Sequence, residues 1–229
     1  MVLSVFGDID ATHVLELVTK QFGSLEARVL NLKSHSEPPL TQPREKTLSM
    51  PKEQAMVMLG FHGTTFLNED HYGLEVLTSI LGSSFSGRLF NRVREQLGEA
   101  YTLGGDSVPG IDAGLISFYV LTSEEKIPVV RDLLTKEIQR IQTQDVSPQE
   151  LDSNKTYLKG TFKASLEKNA ALSFTSILDE LYGLGFNNYQ QFDRHIDQVS
   201  AQDVQRLAKK YLDLNKVAVV VVKPQKPEE

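Results

Sequence analysis

GRLFNRVREQLGEAYTLGG, residues 87–105, is the stretch on which the reading of this chain turns. It has the pattern of an amphipathic helix that stops at Gly98 and runs into an apolar, glycine-containing strand. Arg94 falls late in that helix and Tyr101 at the start of that strand. Both side chains keep hydrogen-bond donors at physiological pH. A helix-to-strand turn can aim both at one point. Taken alone, such a pair is commonplace, so its meaning depends on what surrounds it.

The chain has 229 residues, of which 40% are hydrophobic, enough for one sizeable domain or a domain plus a piece of another. The formal net charge is -6 with both signs interspersed. No basic tract dominates, which argues against nucleic acid as the main partner. There is no cysteine, hence no disulfide framework, zinc knuckle or thiol nucleophile. No apolar run is long enough to span a bilayer. Met1 opens directly on VLSVFG, without the basic flank and cleavage site of a signal peptide. Such an opening reads as a chain cut from something larger.

VLSVFG (2–7) reads as a buried strand, and Asp8 or Asp10 can cap the helix THVLELVTKQFG that follows. From residue 24 to 50 the chain is polar and carries Pro38, Pro39 and Pro43, the composition of a semi-rigid linker. AMVMLGFHG reads as a strand and HYGLEVLTSILG as a helix. After the opening stretch come two strands, YTLGGDSV and GLISFYVLT, joined through Pro109 and Gly110. IPVVRDLLTKEIQRIQTQ is helical. Ser147, Pro148 and Glu150 form a helix start with a capping box. ALSFTSILDELYGLG is a helix ended by Gly183 or Gly185. Ser200 and Asp203 open another, and VAVVVVKP is the last strand. Hairpin strands with helices in blocks predict an α+β domain rather than an alternating parallel fold. The expected organisation is a strand and helix over 1–23, a linker over 24–50, one domain over 51–224 and a tail over 225–229.

Candidate chemistry is sparse. None of the five histidines, His13, His35, His62, His71 and His195, forms an i, i+4 pair for zinc. His62 and His71 bracket Asn68, Glu69 and Asp70, but a strand-end and a helix-start histidine explain them, with the acids favoured by the helix dipole. SSFSG lacks the lysine and spacing of a phosphate loop, and no Gly-x-Ser-x-Gly elbow occurs. Arg88 and Arg92 read as solvated, pairing with Glu95 or Glu99. No metal site is expected in this chain.

The run SSFSGRLFNRVREQLGEAYTLGG resembles a signature of the pitrilysin/insulinase family of zinc metallopeptidases, which includes mitochondrial processing peptidase. Its parts are Gly87-Arg88-Leu89-Phe90, Val93-Arg94-Glu95 and Gly98-Glu99-Ala100-Tyr101; Glu99 stands where many relatives have leucine. VLSVFGDIDATHVLELVTKQFGSL resembles the close of the family's preceding domain. LGFHGTTFLNEDHYGLEVLTSILG and SAQDVQRLAKKYLDLNKVAVVVVKP resemble the start and finish of the next repeat. The family's His-x-x-Glu-His motif is absent. The resemblance therefore implies the second, zinc-free domain, a metallopeptidase half-domain with an antiparallel-rich sheet and helices packed mainly on one face.

It also implies no catalytic residue and no cofactor in this chain, with zinc in a partner domain in cis or on a separate subunit. Arg94 and Tyr101 would then reach peptide substrate near the scissile bond, with Gly98, Gly104 and Gly105 allowing close backbone approach. The rival within the superfamily is a non-catalytic structural subunit, like the core proteins of a respiratory complex. No nucleic acid and no membrane span are expected, and a homo-oligomer is left open. Bacterial periplasm, bacterial cytoplasm and mitochondrion are all compatible with the resemblance.

Overall fold

The computed structural model describes residues 1–26, 28, 33–34, 37–83, 87–97 and 102–225, with the backbone alone at residues 83, 94, 96 and 97. One five-stranded sheet organises the described residues, in the order β1-β5-β2-β4-β3. The strands are β1 (Arg44–Met50), β2 (Ala55–His62), β3 (Leu103–Val108), β4 (Leu115–Thr122) and β5 (Ala218–Pro224). β1 runs parallel to β5; the other three pairings are antiparallel. The helices are α1 (Ala11–Phe22), α2 (His71–Thr78), α3 (Arg88–Leu97), α4 (Ile127–Thr143), α5 (Pro148–Ser165), α6 (Asn169–Leu181), α7 (Phe192–Gln198) and α8 (Ala201–Tyr211). The architecture is α+β, as the hairpin-and-block pattern predicts.

Side chains alternate across a strand, so each strand has two faces. On β2, Ala55, Val57, Leu59 and Phe61 are buried while Met56 and Met58 between them are only half-buried. On β4, Ile116, Phe118 and Val120 are buried, and Tyr119 and Leu121 are half-buried. The buried set meets α2, α4 and α8 in one core with Leu74, Leu77, Leu134, Ile138, Val204 and Leu207. Burying each such side chain is worth about 1.5–3 kcal/mol. The opposite face has no helical layer of comparable burial. The helices therefore sit mainly on one side of the sheet.

Local chemistry sets the helix starts. Asp10 accepts from the amides of Thr12 and His13 and caps α1. Ser200 and Asp203 form the full reciprocal box at α8. At α5 only half of the expected box is made. Ser147 accepts from the Glu150 amide at 3.2 Å, but the Glu150 carboxylate turns away to Arg88. An ion pair with a guanidinium outweighs a second, solvent-accessible capping bond. α6 is followed by Gly183 and Gly185 at φ +79° and +86°, conformations that glycine adopts without strain.

Two segments differ from the sequence reading. Arg44 to Met50 lies at the far end of the expected linker but forms β1. Its seven residues are all exposed, so it carries no alternation to read. Backbone hydrogen bonding to β5 and the Glu45–Arg131 ion pair, at 2.8 Å, hold it as a charged sheet edge. Val2 to Gly7, expected to be a strand, has no ladder partner among the described residues. It lies beside α6, where the Ser173 hydroxyl donates to Ser4 Oγ at 3.0 Å. α1 buries none of its residues.

Candidate functional site

Arg94 lies in the last turn of α3, so what positions that helix positions its backbone. Leu89 and Val93 anchor α3 in the core. Arg88 forms a two-pronged pair with Glu150 of α5, Nε to Oε1 at 2.7 Å and Nη2 to Oε2 at 2.8 Å. Hydrogen bonding from Glu150 raises the Arg88 pKa further above its ordinary value, outweighing burial. Arg92 reaches Glu95 at 2.9 Å and the buried Glu137 of α4 at 3.4 Å, which also receives Arg140 at 2.9 Å. Arg88 and Arg92 thus do more than pair along their own helix. They clamp α3 to α4 and α5, and bidentate arginine fixes orientation as well as distance.

The strand that follows is held with equal closeness. α2 continues into a π-helical turn, Ser79–Ser83, and this wider turn meets β3. A Cβ on Gly82 would stand 3.2 Å from the Gly105 nitrogen, and one on Gly105 would stand 2.6 Å from the Phe118 ring. Gly104 lies on the other sheet face, where a Cβ would come within 2.6 Å of the Tyr119 ring. Gly105 is therefore required by packing against the buried Phe118 and the π turn, whereas a side chain at Gly104 would displace the half-buried Tyr119 ring. Ser79 fixes that turn to α5 by donating to Asn154 Oδ1 at 2.9 Å. Gly98 and Tyr101 lie outside the described residues, as does the side chain of Arg94.

A second polar centre was not anticipated from the sequence. Asp70, just before α2, is 2% exposed and makes no capping bond. It accepts instead from Arg206 at 3.0 Å, Lys210 at 2.6 Å and Tyr211 at 2.9 Å, all on α8. Burial raises its pKa, but the three hydrogen bonds outweigh that and leave it below the ordinary carboxylate value. The available signal was the i, i+4 spacing of Arg206 and Lys210, which puts two cations on one side of α8. Nothing in the sequence named their partner.

Close by, His71 opens α2. Burial first, and the nearby His195 second, push its pKa down to about 4. One turn on, Glu75 is half-buried; desolvation first, and Asp106 second, push its pKa up to about 7. No group of three or more His, Asp or Glu side chains among the described residues is arranged to hold a metal ion.

The profile of the Peptidase M16 inactive domain matches residues 1–158. The chain belongs to that family. Among curated relatives, it is 30% identical over 169 residues to an uncharacterized zinc protease of Rickettsia bellii, covering 73% of this chain and 40% of the relative. It is 29% identical over 208 residues to the uncharacterized zinc protease YmxG of Bacillus subtilis, covering 90% and 49%. The chain thus spans about half the length of the curated relatives it matches. In structure it superposes on a protease from Helicobacter pylori with a TM-score of 0.84 and 20% identity, covering 95% of this chain and 53% of that one. That likeness concerns the fold. Family membership is what the sequence comparisons show for this chain, and the curated relatives it matches are named zinc proteases. No helix among its described residues is long and apolar enough to cross a membrane.

Proposed function

We propose that this chain is the zinc-free domain of a zinc metalloendopeptidase, closing over peptide bound at an active site on another domain or subunit. In this reading Arg94 and Tyr101 contact the peptide near the scissile bond. The observation that carries it is the frame on either side of the pair. α3 is clamped by Arg88–Glu150 and Arg92–Glu137, and β3 is seated on Gly82 and Phe118. These contacts fix where the chain leaves α3 and where it enters β3, and donors aimed at a transient charge need supports of this kind. Peptide hydrolysis builds negative charge on the carbonyl oxygen. A tyrosine hydroxyl and a guanidinium fork are suited to stabilise it or to hold neighbouring peptide carbonyls. Zinc belongs, on this reading, to the partner that carries His-x-x-Glu-His.

The same proposal assigns residues 1–23 to the close of the preceding domain and the body of the chain to the zinc-free one. Leu3, Val5, Leu15, Leu17 and Phe22 are all exposed, an apolar surface that a preceding domain would cover. The half-covered sheet face, with Met56, Met58 and Tyr119, would look into the enclosure.

The test is kinetic, in the enzyme reconstituted with its zinc-bearing partner. Tyr101→Phe removes one donor and keeps the ring. If the hydroxyl acts on developing charge, kcat falls by about 10–1000-fold. If it holds substrate only, KM rises with kcat unchanged. Arg94→Lys keeps the charge but loses the planar fork, and is expected to lower kcat/KM as well. Unchanged kinetics in both variants would remove the pair from the mechanism and leave the domain as a structural lid.

A further inference from the structure

α2, α5, α6 and α7 border an open cavity of about 450 Å³ lined in part by Phe66, His71, Tyr72, Phe162, Tyr189 and Phe192, with Tyr182 and His195 stacked behind. The rings form one connected array. Phe66 stacks on Tyr182 at 4.0 Å and meets His71 edge-on at 6.3 Å. His71 leans on Tyr72 at 4.8 Å, and Tyr72 stacks on His195 at 4.3 Å. Tyr72 also meets Phe192 at 6.0 Å, and Phe192 stacks on Phe162 at 4.0 Å. Stacking of this kind fixes ring planes and covers one face of each stacked ring, leaving the other face and the edges for further contacts.

The acidic groups that line this cavity have no basic counterpart in its described lining. Glu75 and Asp179 both line it, and no lysine or arginine lines it among the described residues. Asp179 accepts from the Tyr189 amide at 3.0 Å, and burial raises its pKa. The Glu75 carboxyl has no hydrogen bond or ion pair among the described residues, and burial first, Asp106 second, push its pKa up to about 7. His71 is held neutral at physiological pH, and its Nδ1 is buried without a partner among the described residues. A carboxyl without a cation and an imidazole nitrogen without a partner are costly in a half-closed cavity unless something completes them. Aromatic faces beside carboxylates are the surroundings in which a desolvated organic cation is most strongly held.

We infer that this cavity binds an organic cation, a guanidinium or alkylammonium group, seated against the Phe66, Tyr72 and Phe192 rings and paired with Glu75. The volume admits a basic side chain together with part of its backbone, in the range of ordinary ligand pockets. The ligand group is thus either a free small cation or the basic residue of a peptide. The inference does not rest on the roles assigned to Arg94 and Tyr101, and its test needs no partner domain.

The experiment is calorimetric titration of the full chain at pH 7 with n-butylguanidinium and with n-butylurea, which has a similar shape and no charge. Saturable binding of the guanidinium, with the urea at least about tenfold weaker, is the expected result. Pairing with Glu75 should also expel its proton. The binding enthalpy should then vary with the ionisation enthalpy of the buffer, and this dependence should vanish in Glu75→Gln, with affinity reduced by about tenfold. A tripeptide with central arginine, set against its citrulline counterpart, distinguishes the sources. Tighter binding than butylguanidinium identifies a peptide side chain, and weaker binding a free cation; either supports the site. Four results would each overturn it: no saturation by about 10 mM, where binding is negligible; equal binding of the charged and neutral compounds; preference for inorganic phosphate; or undiminished guanidinium binding and buffer dependence in Glu75→Gln. Retention of the near-ultraviolet tyrosine spectrum in that variant confirms that the fold is intact.

Discussion

α1 and α8 are helices of similar length with opposite fates. Both are well capped, α1 by Asp10 and α8 by Ser200 with Asp203. Both carry apolar residues at helical spacing. α8 sinks Val204, Leu207 and Ala208 into the core and hands Arg206, Lys210 and Tyr211 to Asp70. α1 buries nothing, and Leu15 stands 66% exposed. Amphipathicity and capping make a helix possible; only a covering surface makes it stabilising. The body of the chain provides that surface for α8 and not for α1.

The largest expected contrast lies in the core. Phe118→Ala should cost about 3–5 kcal/mol, because it empties a fully buried core site beside Gly105. Leu15→Ala in α1 should change stability by less than about 0.5 kcal/mol. Chemical denaturation of both variants measures the contrast. An equal loss would mean that α1 is docked in solution on something this chain supplies.

Asp70→Asn ranks next. It leaves Arg206 and Lys210 facing a neutral amide, and should cost about 1–3 kcal/mol at pH 7, since both cations remain half-open to water. The sign with pH follows from the lowered pKa of Asp70. Its contribution is complete above the unfolded carboxylate value, near 4, and is lost as pH falls through the folded value. The stabilities of wild type and variant should therefore converge in acid. A constant gap down to pH 2 would show that the carboxylate charge is not what α8 recognises.

The smallest effects come from the pair at the start of α2. Glu75 has its folded pKa raised to about 7, so its contribution is complete below the unfolded value and declines as pH rises through 7. His71, lowered to about 4, contributes fully above its unfolded value, near 6.5, and loses that contribution as pH falls through 4. Their slopes oppose one another between pH 4.5 and 6.5 and largely cancel. Glu75→Gln should gain about 1–2 kcal/mol at pH 8 and nothing at pH 4, after allowance for its partial exposure. Thermal melts across that range check this. A gain that does not depend on pH would place its origin in packing. Tyr72 of α2, Asp106 of β3, Asp179 of α6 and His195 of α7 are ionisable groups near the pair among the described residues, and the comparison holds them constant.

Much of the body was legible because its signals are local. The β2, β4 and β5 runs, the α4 and α8 periodicities and the glycine stops after α6 all appear where residue pattern places them. β1 was not legible. Arg44 to Met50 is polar and wholly exposed, and only the β5 backbone beside it makes it a strand. Half of the α5 capping box was misread for a similar reason, since the Glu150 carboxylate is taken by Arg88, distant in sequence. Near the candidate site, Arg94 and Tyr101 came from family resemblance, whereas the clamps that hold α3 came from geometry alone.

Short-range chemistry therefore carries the class of this protein. Strand alternation, capping residues, turn glycines and the Arg88–Tyr101 motif are legible within about twenty residues of chain, and they suffice for an α+β domain and for its family. Long-range pairing lies beyond such windows. Asp70 acquires its role from α8, Gly105 from Phe118 and Gly82, and the cavity at His71 and Glu75 from four helices that meet only when the core closes. Desolvation and the company of other charges set what these groups do, and both arise only from packing between elements far apart in sequence.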